Sequence, residues 1–211
     1  MVLTISEMVE LCESGGHDSA SHLQYSSTIQ IIEGGLLRIL LNEDEIRNGI
    51  QELAEELCSD YRDRTVTVLA VLTGSLVFLA DLIRLLDFRL HVGVVQASSY
   101  RGEVMSPGEL TTNLEFLPRI SGRNILLLDD ILDSGNTLSR LKEDLEKQNP
   151  KELKTAVLLR KQECQVTPFS PDYCCFEIPD VFVVGYGLDY DNRYRNLPYV
   201  AALENEDLSE E

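Results

Sequence analysis

Ile125-Leu126-Leu127-Leu128-Asp129-Asp130-Ile131-Leu132-Asp133-Ser134-Gly135-Asn136-Thr137 is the stretch on which the reading of this chain turns. Four consecutive apolar residues, Ile125 to Leu128, describe a short strand buried on both faces, the kind found inside a parallel sheet. Two adjacent carboxylates follow at its carboxyl end, where ligands bind in open α/β sheets. The chain then turns through Asp133 to Thr137 into a helix predicted over about Asn136 to Lys147. Exposed amides, two hydroxyls and the helix dipole together form a cradle suited to a phosphate monoester. Carboxylate acceptors suit the 2- and 3-hydroxyls of a ribose, so the whole turn matches a ribose 5-phosphate. Reading Asp129 and Asp130 only as favourable charges at a helix start leaves the Ser-Gly-Asn-Thr run unexplained. The ending of a triphosphate P-loop and the dinucleotide Gly-rich fingerprint are both absent.

Working outward, the pattern alternates strands with helices. Asn42 caps a helix over Glu43–Tyr61, with Glu45 at the capping-box position and Ile46, Ile50, Leu53, Ala54 and Leu57 on one face. Val66–Leu72 is a β-branched apolar strand that Gly74-Ser75 turns into a helix reaching about Leu86. Leu90–Val95 is a strand, Ser98 to Pro107 a polar segment expected to move, and Glu115–Leu117 a short strand. Thr155–Leu159 and Val181–Val184 complete the set. The fold class is α/β, a mostly parallel sheet flanked by helices, with a small hood formed by the C-terminal strands. Residues 1–40 read as a partly ordered extension, 41–203 as the main domain and 204–211 as an acidic tail.

The composition narrows the partners. With 36 acidic and 18 basic residues among 211, the formal charge is −18. Such a surface repels nucleic acid and anionic membranes, so neither is expected as a partner. The longest apolar stretch, Val66 to Leu86, is broken by Asp81 and Arg84 and does not read as a membrane span. Glu7, Glu10 and Glu13 occupy the region where a leader would carry basic and apolar residues, so none is expected. Five cysteines lack zinc-ligand spacing, which points to reduced thiols in a cytoplasm.

The loop Leu126 to Leu138 resembles the phosphoribosyl-pyrophosphate loop of type I phosphoribosyltransferases. Downstream, IPDVFVVGYGLDYDNRYRNLPYV resembles the C-terminal signature of the hypoxanthine–guanine branch of that family. The resemblance spans about Leu41 to Leu203, and its second motif is the more specific.

The resemblance implies that Asp129 and Asp130 hold the ribose hydroxyls, although the family usually places Glu before Asp here. Asp133 becomes the general base near N7 of a purine, and Ser134, Gly135, Asn136 and Thr137 bind the 5-phosphate. Lys161 contacts the purine 6-oxo group, Phe182 stacks on the base, and the backbone of Val183 reads its Watson–Crick edge. Asp189 lies at the purine side and, with Asp130, holds magnesium. Arg195 binds pyrophosphate together with Thr73-Gly74 and the mobile Ser99-Tyr100 segment. Thr73 stands where the family commonly has Lys or Arg, so a backbone donor is kept and a cation is lost.

The activity this resemblance implies is purine salvage, in which a 6-oxopurine and phosphoribosyl pyrophosphate give a nucleoside 5'-monophosphate. The resemblance also implies Mg2+ and a homodimer or homotetramer. Two rivals remain at this point: a nucleotide-binding regulator without turnover, and a transferase for another base. Taken singly, each residue has an ordinary reading: Lys161 as strand-end solvation, Phe182 as core, Arg193 and Arg195 as weak surface pairs. Their joint order behind one phosphate-binding turn is what favours the enzyme.

Overall fold

The computed structural model describes residues 29–32, 35–99, 110–162 and 169–203. In chain order the elements are β1 (Ile29–Ile32), β2 (Gly35–Leu41), α1 (Glu43–Asp60), β3 (Thr65–Leu72), α2 (Leu76–Leu82), β4 (Arg89–Ser99) and β5 (Leu110–Asn113). Then come β6 (Asn124–Leu132), α3 (Asn136–Glu146), β7 (Glu152–Lys161), β8 (Tyr173–Ile178), β9 (Val183–Val184) and β10 (Val200–Leu203). No described helix is long and apolar enough to cross a membrane.

The main sheet has six strands in the order β5-β4-β3-β6-β7-β8, all parallel except the edge strand β5. Its centre explains the apolar runs. Val66, Val68, Ala70, Leu126 and Leu128 pack on one face against Leu53 and Leu57 of α1 and Phe78 and Leu82 of α2. Leu69, Val71, Ile125 and Leu127 pack on the other against Leu138, Leu141 and Leu145 of α3. Both faces are therefore covered, as a run without alternation requires.

The hood is a second sheet in the order β1-β2-β10-β9. It is antiparallel throughout. Two of its strands precede Asn42, so the hood is not built from C-terminal strands alone, and the described part of segment 1–40 belongs to it. The Glu115–Leu117 strand is also corrected: these residues lie in a turn closed by Leu117 N–H to the Leu114 carbonyl at 3.0 Å. Asn113 Oδ1 also accepts from Glu115 N–H at 2.9 Å. The strand is β5, where Thr111-Thr112 supply the β-branched residues. Tyr100, most of the Ser98–Pro107 segment, the arm 1–27 and the tail 204–211 lie outside the described residues.

Helix α1 follows its sequence signature. Asn42 Oδ1 accepts from Glu45 N–H at 2.9 Å, and Glu45 Oε2 accepts from Asn42 N–H at 2.7 Å, which completes the capping box. Its buried face also contains Gly49, which the apolar spacing did not flag. A Cβ built there would fall 2.1 Å from Cζ of Phe176 on β8, so the missing side chain is what lets helix and sheet edge meet. Gly49→Ala should therefore destabilise the protein by about 1–3 kcal/mol, outweighing a helix-propensity gain of about 1 kcal/mol. Urea denaturation followed by circular dichroism measures this; equal or higher stability would mean that Phe176 swings aside at no cost.

Candidate active site

Strand β6 runs beyond its apolar run. Asp129 and Ile131 still pair with Val157 and Leu159 of β7, so the two carboxylates leave the sheet while held on a strand. Asp133 to Gly135 then turn the chain. Gly135 has φ of +81°, a left-handed conformation that glycine adopts without a Cβ penalty. Ser134 Oγ accepts from Asn136 N–H at 3.5 Å, and Gly135 O accepts from Ser139 N–H at 3.0 Å as α3 begins. The turn opens onto a cleft of about 510 Å³ at the carboxyl end of the sheet. Thr73, Gly74, Asp129, Asp130, Asp133, Ser134, Gly135, Thr137, Asp189 and Arg195 all line it. Ten positions singled out in the sequence thus converge on one depression.

The carboxylates are tightly held. Asp129 is only 5% exposed, and its Oδ1 accepts from Asp130 N–H at 3.0 Å. Asp130 Oδ1 in turn accepts from Ile131 N–H at 2.9 Å. Burial, joined by the neighbouring Asp130 charge, holds the Asp129 carboxyl well above the usual range. Burial also raises Asp130, opposed by hydrogen bonds and by the Arg195 charge.

Close backbone approach makes room for Asp130. A Cβ on Gly74 would lie 1.6 Å from Asp130 Oδ2, and a Cβ on Gly187 would lie 2.1 Å from the Gly74 carbonyl oxygen. Gly187 carries φ of +99°, and its own carbonyl accepts from Arg195 Nη1 at 2.7 Å. The same guanidinium meets Asp189 Oδ1 at 2.7 Å, while Asp189 Oδ2 accepts from Asn192 N–H at 2.9 Å. The Leu72–Thr73 peptide beside Gly74 is cis.

Lys161 ends β7 and is 9% exposed. Its Nζ lies 3.3 Å from Asp133 Oδ2 and 3.5 Å from Asp180 Oδ1. Phe182 is 42% exposed and meets the Tyr190 ring edge-on at 5.6 Å between centroids. Val183 pairs with Ala202, and its strand β9 forms one edge of the hood. Lys161, Phe182 and Val183 thus stand outside the lining of the cleft, and Lys161 is linked to it through Asp133.

Sequence comparison matches residues 39–191 to the phosphoribosyl transferase domain family. The chain belongs to the phosphoribosyltransferase family. It is 41% identical over 167 residues to hypoxanthine-guanine phosphoribosyltransferase of Bacillus subtilis, covering 79% of this chain and 93% of the relative. The Streptococcus pneumoniae protein of the same name is 36% identical over 176 residues, covering 83% and 98%. Among solved structures, hypoxanthine phosphoribosyltransferase from Staphylococcus aureus superposes with a TM-score of 0.76 at 36% identity, covering 82% of this chain and 94% of that one. The six-stranded sheet with its hood is the type I phosphoribosyltransferase fold.

Within this phosphoribosyltransferase, three cleft or near-cleft residues escaped the sequence reading. Gln96 lines the cleft from β4 at the position paired with Leu72; it is the first polar residue after an apolar strand, a signal available in the sequence. Gly187 was visible only as a glycine, and Asp180 only as a charge. Conversely, Arg193 forms an exposed pair with Asp191 at 3.7 Å and stands apart from the cleft lining. Asn136 opens α3 without lining the cleft, and Ser99 closes β4 opposite Leu110.

The two close-approach glycines should differ on substitution. Gly187→Ala meets backbone and a left-handed φ, so it should cost about 2–4 kcal/mol. Gly74→Ala meets only the end of the Asp130 side chain, which must give up its bond from Ile131 N–H to turn away, so it should cost less, about 1–2 kcal/mol. Parallel thermal melts decide; similar midpoints for the two variants would contradict the stacking of Gly187 on Gly74.

Proposed function

We propose that the chain joins hypoxanthine or guanine to phosphoribosyl pyrophosphate, releasing a nucleoside 5'-monophosphate and pyrophosphate. One observation carries this reading: Asp133, at the lip of the phosphate-binding turn, lies 3.3 Å from a buried lysine on the neighbouring strand. A proton acceptor and a fixed donor then flank the position where a purine attached to the ribose would lie. The names of the relatives supply hypoxanthine and guanine.

Each group has a chemical task. The turn Ser134 to Thr137 offers amides and hydroxyls to the 5-phosphate. Asp129 and Asp130 offer acceptors to the ribose hydroxyls, with Asp130 the more accessible of the two. An ammonium has three N–H donors. One of those on Lys161 is directed at Asp133, with the Asp180 carboxylate 3.5 Å away, which leaves a donor for the purine 6-oxo oxygen. The exposed face of Phe182 can stack on the base, and the edge strand β9 presents backbone groups near Val183 for its rim.

Asp133 takes the proton that the imidazole ring of the purine loses as its N9 bonds to C1 of the sugar. Such general-base help is worth about 10²–10⁴-fold. Arg195 and the amides of Thr73-Gly74 face the departing pyrophosphate, with Ser99 and Tyr100 assigned to the segment that covers it.

Magnesium suits this donor set. Among the described residues no cluster of three or more protein ligands exists, but Asp130 and Asp189 both line the cleft. Mg2+ is commonly held by one or two carboxylates, with substrate phosphates completing its shell. Bound there, it would neutralise charge developing on the leaving pyrophosphate. The same reading includes a cytoplasmic homodimer or homotetramer with no nucleic-acid or membrane partner. The formal charge of −18 and the free thiols of Cys58, Cys174 and Cys175 support its solution setting.

Pyrophosphate release with each purine, magnesium and phosphoribosyl pyrophosphate tests the reaction directly; a chain that binds these compounds without turnover would be a regulator. Asp133→Asn keeps shape and hydrogen bonding but cannot accept the proton. It should lower kcat about 10²–10⁴-fold, with much smaller changes in affinity, and abolish the acidic limb of the pH–rate profile. Near-normal kcat under chemistry-limited conditions would remove Asp133 from the role of base. Lys161→Gln should raise the KM for purine about tenfold or more while phosphoribosyl pyrophosphate binding is kept. Equal losses for both substrates would assign the lysine a structural role.

A further inference from the structure

The amino end of the main sheet contains a second polar pocket, of about 340 Å³. Thr67 of β3 and His91 of β4 are register partners on parallel strands, and both line it with Asn124, Arg123 and Lys151. The separation from the catalytic cleft is large. Thr67 and Leu72 stand five positions apart along β3, roughly 16 Å at the usual strand rise.

Three features mark this pocket as more than a surface dent. Thr67 is 1% exposed, and its Oγ1 has no hydrogen-bond partner among the described residues, an uncommon condition for a buried hydroxyl. Arg123 and Lys151 come from different loops but are fastened together, with Lys151 N–H donating to the Arg123 carbonyl at 2.8 Å. Third, no carboxylate lines the pocket, and none of the ion pairs among the described residues uses Arg123, Lys151 or His91. In a chain with 36 acidic and only 18 basic residues, a pocket lined by two basic residues and no acid stands out.

We propose that this pocket binds a small phosphate-bearing anion. Arg123 and Lys151 supply charge, while the Thr67 hydroxyl and an N–H of His91 supply further donors. A tetrahedral oxyanion satisfies several convergent donors at once, and a guanidinium beside an ammonium is well suited to it. The volume lies at the lower end for ligand pockets, which fits inorganic phosphate or a sugar phosphate better than a whole nucleotide. This binding is independent of the transferase reaction and uses none of its residues.

Titrating inorganic phosphate, and separately ribose 5-phosphate, into the ¹⁵N-labelled full chain locates binding by amide shifts. Saturable shifts are expected at Thr67, Gly122, Arg123 and Lys151, separate from any at Gly135 to Thr137. The compound that produces them at lower concentration identifies the ligand source. Arg123→Gln/Lys151→Gln should weaken binding at the first group at least about tenfold and leave the second group unchanged. Thr67→Val, which keeps shape without the hydroxyl, should weaken it about threefold to tenfold with the fold intact. Shifts confined to Gly135–Thr137, shifts that never saturate, or shifts unaltered in the double variant would each overturn the proposal.

Discussion

The structure depends on β6 being locked between β3 and β7 with both faces covered. Ile125 to Leu128 are completely buried, so a one-residue slip in register would exchange the two faces and disturb every layer packed on them. That lock fixes where the strand ends. It forces Asp129 and Asp130 to a set height at the carboxyl edge and places the Asp133–Thr137 turn beyond them. The apolar core and the polar site are therefore one construction, because packing on both sides of four residues aims the next nine.

Holding two carboxylates at that edge carries an electrostatic cost, visible in the upward displacement of both acids. The fold offsets part of it with backbone donors from Asp130 and Ile131 and with the nearby Arg195 guanidinium. Glycine supplies the remaining space. Gly74 leaves room for Asp130, and Gly187 leaves room for the Gly74 carbonyl, so the hood-side loop can press against the strand end without a side chain between them. Arg195 is then positioned twice, by the Gly187 carbonyl and by Asp189. An acidic chain thus holds one well-anchored cation in the cleft beside its carboxylates.

Much of this architecture was legible in the sequence. The capping box at Asn42, the apolar face of α1, the buried β3 and β6 and the start of α3 follow from local rules of spacing and hydrogen bonding. Three strands of the hood did not: β1 and β10 have four residues each, and the seven-residue β2 gains its second neighbour only when β10 returns at residue 200. Strand β5 was misplaced because Thr111-Thr112 carry a weak local signal, while Phe116 attracts attention yet remains 72% exposed. Gly49 and Gly187 were equally opaque, because the value of a missing Cβ depends on what approaches it.

The sequence by itself determined the chemistry available: two carboxylates after a buried strand, a Ser-Gly-Asn-Thr turn at a helix start, a lysine and a C-terminal signature that together mark a phosphoribosyltransferase. These are local facts, since each depends on residues within a few positions of one another. Tertiary structure alone decided which of them meet. It brought Lys161 to Asp133 across 28 positions and stacked Gly187 on Gly74 across 113. It also separated Arg195 from Arg193, although only one residue stands between them. Long-range contacts form when distant surfaces find complementary shape in one shared core, and no short window of sequence contains both surfaces.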